Sequence, residues 1–337
     1  MDPELTEPER RLLNETQRDF PLEPRPFARL GDRFGLDEAR VLGSIGRMRA
    51  RGAISRLGAV VAPNTLGAST LAAMTVPAAR LKKVAALVSA RPEVNHNYER
   101  EHSINLWFVV TAADVAAVTR VLRELEAATG LAVLDLPLVV AYHVDLGFDL
   151  EHGTTDSRVA GHAAASSAGS VDDVDRRLLG AIEDGLPLAV RPYAAVGAQI
   201  GLSEANVISR LGRLIAGGVV RRLGLVVRHH ELGYQANAMA VWDLAEAEID
   251  EVGRRLADYD FVNLCYRRPR RPPLWPYNLF CMIHSRDRWT VRERIARLNA
   301  ELGLGERPQA LLFSNRRFKQ RGARYSNGSP GIGQGVG

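Results

Sequence analysis

Residues 21–61 read PLEPRPFARLGDRFGLDEARVLGSIGRMRARGAISRLGAVV, and residues 187–227 read PLAVRPYAAVGAQIGLSEANVISRLGRLIAGGVVRRLGLVV. The two stretches align without a gap and share roughly half their residues. A repeat spaced by about 165 residues is far longer than any solenoid unit, so each copy can hold a pair of domains with its own core. Each copy opens with three short helical patterns followed by a Gly-containing turn and a strand. The second and third helices frame Leu36-Asp37-Glu38-Ala39 or Leu202-Ser203-Glu204-Ala205. Asp37 and Ser203 are suited to cap the third helix, because a short side-chain oxygen can accept an orphan backbone N–H. This order predicts a winged helix-turn-helix.

Downstream, the first copy predicts a strand near 71–76, a helix near 78–90, strands near 94–100 and 104–111, a helix near 113–129 and a strand near 132–140. The second copy repeats the order with strands near 236–243, 261–267, 277–284 and 310–315, and helices near 245–259 and 287–302. This βαββαβ order is that of a ferredoxin-like sandwich. The expected fold class is therefore α+β, a tandem duplication in which each half is a winged helix-turn-helix followed by a ferredoxin-like domain. The expected boundaries are 1–60 and 171–226 for the helix-turn-helix domains and 61–150 and 227–321 for the ferredoxin-like ones. Residues 151–170, rich in Gly, Ala and Ser, read as a flexible linker, and 322–337 as a disordered tail. A duplicated chain builds a pseudo-symmetric pair, so differences between the copies mark a site made by both.

The chain has 337 residues and a net charge of +5, which suits an anionic partner without choosing between nucleic acid and a small polyanion. It has no run of eighteen apolar residues, and MDPELTEPERR lacks the apolar centre of a signal peptide. A cytoplasmic location with no membrane partner is expected. Two cysteines, Cys265 and Cys281, are too few for a disulfide framework and read as structural.

A winged helix-turn-helix followed by βαββαβ resembles the Lrp/AsnC family, whose second domain binds ligands, and the resemblance covers each half. Two stretches are more specific. Residues 221–243 (RRLGLVVRHHELGYQANAMAVWD) with 265–288 (CYRRPRRPPLWPYNLFCMIHSRDR) resemble one subunit type of the siroheme decarboxylases. RLGAVVAPNTLGASTLAAMTVP with NHNYEREHSINLWFVVTA (residues 95–112) resembles the complementary type. The resemblance implies removal of two acetate carboxyl groups of siroheme as carbon dioxide, giving 12,18-didecarboxysiroheme in heme d1 biosynthesis. It also implies a homodimer, and no cofactor beyond the iron-containing tetrapyrrole substrate, whose conjugated ring can delocalise the charge left behind.

Siroheme carries several carboxylates, and guanidinium suits them because it is permanently charged and bidentate. The run Arg267, Arg268, Arg270 and Arg271, kept extended by prolines and followed by Trp275, Tyr277 and Phe280, is a candidate platform for a flat polyanion. Its alternative is a solvated basic loop. Arg228-His229-His230 stands where the first copy has Ala62-Pro63-Asn64, so a basic, imidazole-bearing turn replaces a neutral one. In the first copy, Tyr98-Glu99-Arg100-Glu101-His102 aligns with the arginine run, and strand alternation assigns Tyr98, Arg100 and His102 to one side. The expected substrate-binding residues are Arg100, Arg228, His229, Arg267, Arg268, Arg270, Arg271, Trp275 and Tyr277. The expected catalytic residues are Tyr98, His102 and His230, with His102 or His230 delivering a proton and His229 or His102 ligating the substrate's iron. The protein alone provides no metal site. His96 and His284, single histidines on strands, read first as structural, and Tyr142 and His143 remain uncommitted.

Two rival classes stand beside this reading. A DNA-binding regulator would use Arg40, Arg47, Arg49 and Arg51, or Arg210, Arg213, Arg221 and Arg222, on phosphates. The recognition helices nevertheless present Glu38 and Glu204 at their starts, and only Arg40 and Asn206 resemble base readers. Specific DNA binding is not expected. A tetrapyrrole carrier would bind siroheme and release it unchanged.

Overall fold

The computed structural model describes residues 6–144, 170–228 and 232–322. The linker and tail expected from composition lie outside these residues, apart from Ser170 and Gly322.

The first copy contains α1 (Glu7–Glu15), α2 (Pro26–Phe34), α3 (Glu38–Ala50) and β1 (Ile54–Val61), then β2 (Ala68–Met74), α4 (Leu81–Ala90), β3 (Val94–Arg100), β4 (Leu106–Ala112), α5 (Val115–Thr129), β5 (Leu134–Pro137) and β6 (Val140–Val144). The second contains α6 (Asp173–Ala181), α7 (Pro192–Ile200), α8 (Glu204–Ala216) and β7 (Val220–Val227), then β8 (Ala236–Trp242), α9 (Ile249–Ala257), β9 (Leu264–Arg267), β10 (Leu279–Ser285), α10 (Arg288–Leu302) and β11 (Gln309–Gln320). The capping residues act as their chemistry requires. Asp37 accepts from Arg40 N at 2.7 Å and Ser203 from Asn206 N at 3.2 Å.

The two wings pair with each other. β1 and β7 form an antiparallel two-stranded sheet in which Gly58 faces Gly224. The turn after α1 packs against that ribbon: Leu225 N donates to Thr16 O at 2.8 Å, and Phe20 N to Leu223 O at 3.0 Å. A Cβ on Gly224 would lie 2.3 Å from Gln17 O, so only glycine permits this approach. Both helix-turn-helix units therefore share one apolar core, in which Leu12, Phe27, Ile45 and Met48 join Leu178, Tyr193, Val207 and Leu211.

The ferredoxin-like parts are fused more deeply than two separate sandwiches. A nine-stranded sheet runs β5-β2-β4-β3-β11-β8-β10-β9-β6. The second copy's final strand extends well past its expected end. Its first part, Gln309 to Phe313, pairs with β8, and its remainder, from Ser314 to Gln320, crosses to pair with β3 of the first copy. In the first copy the corresponding strand is split, with β5 on β2 and β6 crossing to β9. Each crossing satisfies the backbone groups of a strand that would otherwise be an open edge. Only Leu138 and Val139 separate β5 from β6, so the sheet curls back on itself.

Strand alternation then sorts three cores. α4 and α5 cover one half of the sheet over Met74, Val94, Leu106 and Phe108; α9 and α10 cover the other over Trp242, Cys265, Leu279 and Cys281. The inner surface holds Trp107, Leu136, Met239, Val241, Trp275, Phe280 and Leu312. Both cysteines are buried and free, and burial pushes their thiols up, as inert core residues require.

Candidate functional site

β3 carries His96, Tyr98 and Arg100 on the inner surface, because the intervening Asn97 turns outward to donate to Ala85 O at 3.0 Å. Opposite stand Asn237 on β8, Met282 and His284 on β10, and Ser314 on β11. The cluster thus draws one strand from the first copy and three from the second.

Arg100 is 7% exposed. Nη1 donates to Leu312 O at 3.1 Å and lies 3.5 Å from Asn237 Oδ1, Nη2 lies 3.8 Å from Met282 Sδ, and the guanidinium sits 5.8 Å from the Tyr98 ring centroid. No carboxylate among the described residues forms an ion pair with it. Burial lowers its pKa to about 10. A guanidinium held dry with neutral partners is costly, and an incoming carboxylate relieves that cost.

The histidines are neutral. Asn263 Oδ1 can only accept, and it faces His284 N at 3.1 Å and Nδ1 at 2.8 Å, so Nδ1 carries the proton. Nε2 then accepts from Asn237 Nδ2 at 2.6 Å. Burial, aided by the Arg100 charge, lowers the His284 pKa to about 4. His96 is likewise lowered to about 4 by burial and by Arg56 on the first wing. Its ring stacks on Tyr98 at 6.3 Å and 18° and takes no hydrogen bond from the described residues. Burial raises the Tyr98 pKa, so its hydroxyl keeps its proton. The cluster therefore offers a fixed cation, an imidazole with an uncommitted lone pair, and a phenolic proton.

Family models match this architecture throughout. An AsnC-like ligand binding domain matches residues 65–142 and 231–319, and a siroheme decarboxylase NirDL-like HTH domain matches residues 9–54 and 175–221. The chain belongs to the siroheme decarboxylase NirDL family. It is 47% identical over 313 residues to the siroheme decarboxylase NirDL subunit of Paracoccus denitrificans (strain Pd 1222), covering 93% of this chain and 95% of that one. It is similar to a crystal structure of the siroheme decarboxylase NirDL (TM-score 0.69, 28% identity, 94% of each chain). It is also similar to that enzyme in complex with an iron-uroporphyrin III analogue (TM-score 0.66, 27% identity, 95% of this chain and 94% of that). Both domain types thus occur twice in this chain.

Within this siroheme decarboxylase, the residues singled out from sequence fall into three groups. Tyr98 and Arg100 share the groove. His102 lies just beyond β3, where Nδ1 accepts from Ile104 N at 3.1 Å and the ring meets Trp275 edge-on at 5.5 Å. His229 and His230 lie outside the described residues, while Arg228 sits beside Gly52 of the first helix-turn-helix, its N donating to Ala53 O at 2.9 Å.

The arginine run is spent largely inside the fold. Arg267 pairs with Glu246 and Asp250, and Arg270 with Asp243 and Glu246. Arg271 Nε donates to Asp135 O at 2.9 Å. Arg268 Nη1 donates to Leu136 O at 2.6 Å, with its charge over Tyr266 and Phe280. Trp275 is fully buried against Trp107, Tyr277 and Phe280. The hairpin thus ties the second copy to the first. The sequence could not show this, because the acids that neutralise Arg267 and Arg270 are brought in by the loop after β8 and by α9.

His96 and His284, first read as structural, join the groove. Alternation from Tyr98 points to His96. His284 has no such signal, since its role depends on the register of β10 against β8, which pairs it with Asn237. Tyr142 turns away to bond Asp250 on α9, and His143 is buried. No helix among the described residues is long and apolar enough to cross a membrane.

Proposed function

We propose that this chain is a carbon-carbon lyase, a carboxy-lyase that removes two acetate carboxyl groups of siroheme to give 12,18-didecarboxysiroheme, and that the groove at Arg100 performs the chemistry. The observation that carries the reading is Arg100, a buried guanidinium without an acidic partner among the described residues, beside three protonatable rings. It is a receptor for carboxylate, and siroheme presents carboxylates around a flat ring.

In each event the bond between the acetate methylene and its carboxylate breaks, carbon dioxide leaves, and the electron pair stays on the methylene carbon. One proton then converts that carbon to a methyl group, so the sum is carboxylate plus proton to methyl plus carbon dioxide. The tetrapyrrole's conjugated system spreads the charge, and no cofactor beyond the substrate's iron is required. Arg100 fixes a retained carboxylate. His96, neutral with its lone pair uncommitted, takes the iron. Tyr98 delivers the proton, and the guanidinium 5.8 Å from its ring eases the transient phenolate. His102, set against Trp275, has a lesser part, shaping the wall between the copies.

Homodimer formation and a cytoplasmic location belong to the same proposal. Specific DNA recognition does not. The wings pair with each other, Glu38 and Glu204 sit in ion pairs with Arg25 and Arg191 at the starts of the recognition helices, and Arg210 and Arg213 are taken up by Asp172 and Asp175.

Anaerobic incubation of the purified chain with siroheme, followed by mass analysis, tests the reading. Loss of two carbon dioxide masses is expected. Siroheme recovered intact would leave a binding protein.

A further inference from the structure

The Tyr98–Arg100 arrangement recurs in the second copy through the internal duplication, and the two places differ in chemistry. Tyr266 and Arg268 on the β9 side repeat Tyr98 and Arg100. Each guanidinium donates to a carbonyl of the opposite copy's last strand, Leu136 at 2.6 Å and Leu312 at 3.1 Å. Each lies over its tyrosine, at 5.3 Å and 5.8 Å, and burial lowers each to about 10. The framework is therefore duplicated faithfully.

The reactive side chains are not. At the place of His96 the second groove has Leu264, two residues before its tyrosine as His96 is before Tyr98. At the place of His284 it has Thr111. The equivalence is shown by their partners, since Asn95 bonds Thr111 at 2.7 Å as Asn263 bonds His284 at 2.8 Å. Ser69 stands for Asn237 and Val109 for Met282 along the matching strands. Neither imidazole survives.

We infer that both acetates leave at the Arg100 groove, and that the singly decarboxylated ring leaves this groove and re-enters turned before the second loss. The inference rests on the siroheme reading above. The two acetates sit on different rings of one rigid macrocycle, while the donor and the carboxylate clamp are fixed on strands. One placement therefore presents only one acetate to the donor. Among the described residues the second copy has no counterpart of His96 to take the iron, so it does not serve the second acetate in parallel.

Two measurements on the full chain under anaerobic conditions test this. The first compares product masses for Tyr98→Phe and His284→Gln with those for Tyr266→Phe and Thr111→Val. The first pair slows both losses by the same factor, and the second pair leaves both rates within about twofold of the parent. A variant of either groove that halts at the singly decarboxylated product assigns one acetate to each groove and overturns the inference. Tyr266→Phe removes a single hydroxyl, so it reports even where Thr111→Val unfolds.

The second measurement loads the protein with carbon-13 siroheme and chases with unlabelled siroheme in excess. Labelled, singly decarboxylated ring is expected free in solution, with label in the final product falling as the chase is raised. Label passing to the final product undiluted overturns the release step. A parent protein that loses no carbon dioxide at all refutes the proposed function instead, so the two failures are distinct.

Discussion

Arg100 Nη1 donates to the carbonyl oxygen of Leu312 at 3.1 Å, so the buried cation of the first copy is held by the last strand of the second. That bond exists only because β11 crosses from β8 to β3. The groove is a product of the fusion of the two sheets, and neither copy alone contains it.

Burying a guanidinium without a carboxylate trades stability for binding. Replacing it with an apolar side chain of similar length, Arg100→Met, is expected to stabilise the free protein by about 1 kcal/mol or more. The same change should weaken siroheme binding about 30-fold or more, since a buried charge-assisted contact is worth about 2 kcal/mol or more. Thermal unfolding and a spectroscopic titration, made on one preparation, check both signs. A variant that melts lower yet binds normally contradicts the assignment.

The two groove histidines make stability depend on acidity. Both are lowered from 6.5 to about 4 in the fold, so between these values the unfolded chain binds more protons. Stability is fully present above about 6.5 and is lost as pH falls toward 4. Melting temperatures measured across this interval should fall steadily for the parent and less steeply for His96→Gln combined with His284→Gln. Equal slopes place the loss elsewhere.

Gly224→Ala should be costly. Its Cβ would lie 2.3 Å from Gln17 O and 2.5 Å from Thr16 O, backbone atoms that cannot step aside without undocking α1 from the paired wings. A loss of about 2–3 kcal/mol is expected in denaturant unfolding. Gly58, its partner across the ribbon, meets its neighbours at 3.3 Å, so Gly58→Ala should cost less.

Recognition helices that begin with ion-paired glutamates should bind DNA only through general charge. Gel-shift affinities are expected to be weak, to fall with salt and to be the same for any sequence. A salt-resistant preference for one operator is the contrary result.

The duplication, the winged helix-turn-helix and the βαββαβ order were legible because they are local. They rest on apolar periodicity, on caps at Asp37 and Ser203, and on glycines that recur at matching places. Tyr98 and Arg100 were legible as a pair because a strand's period of two puts them on one side whatever else it meets. Arg267 and Arg270 misled for the opposite reason. A run of arginines announces charge, and only the loop after β8 together with α9 brings Asp243, Glu246 and Asp250 to neutralise it.

The sequence by itself determined the elements, their order, their repetition and the phenol and guanidinium on one side of β3. Tertiary structure alone decided that the wings pair with each other, that β11 spans both copies, and that His284 meets Asn237 beside Arg100. Register between distant strands is set by which faces must be buried and which edges must be closed. Those are properties of the assembled sheet, and no single strand carries them.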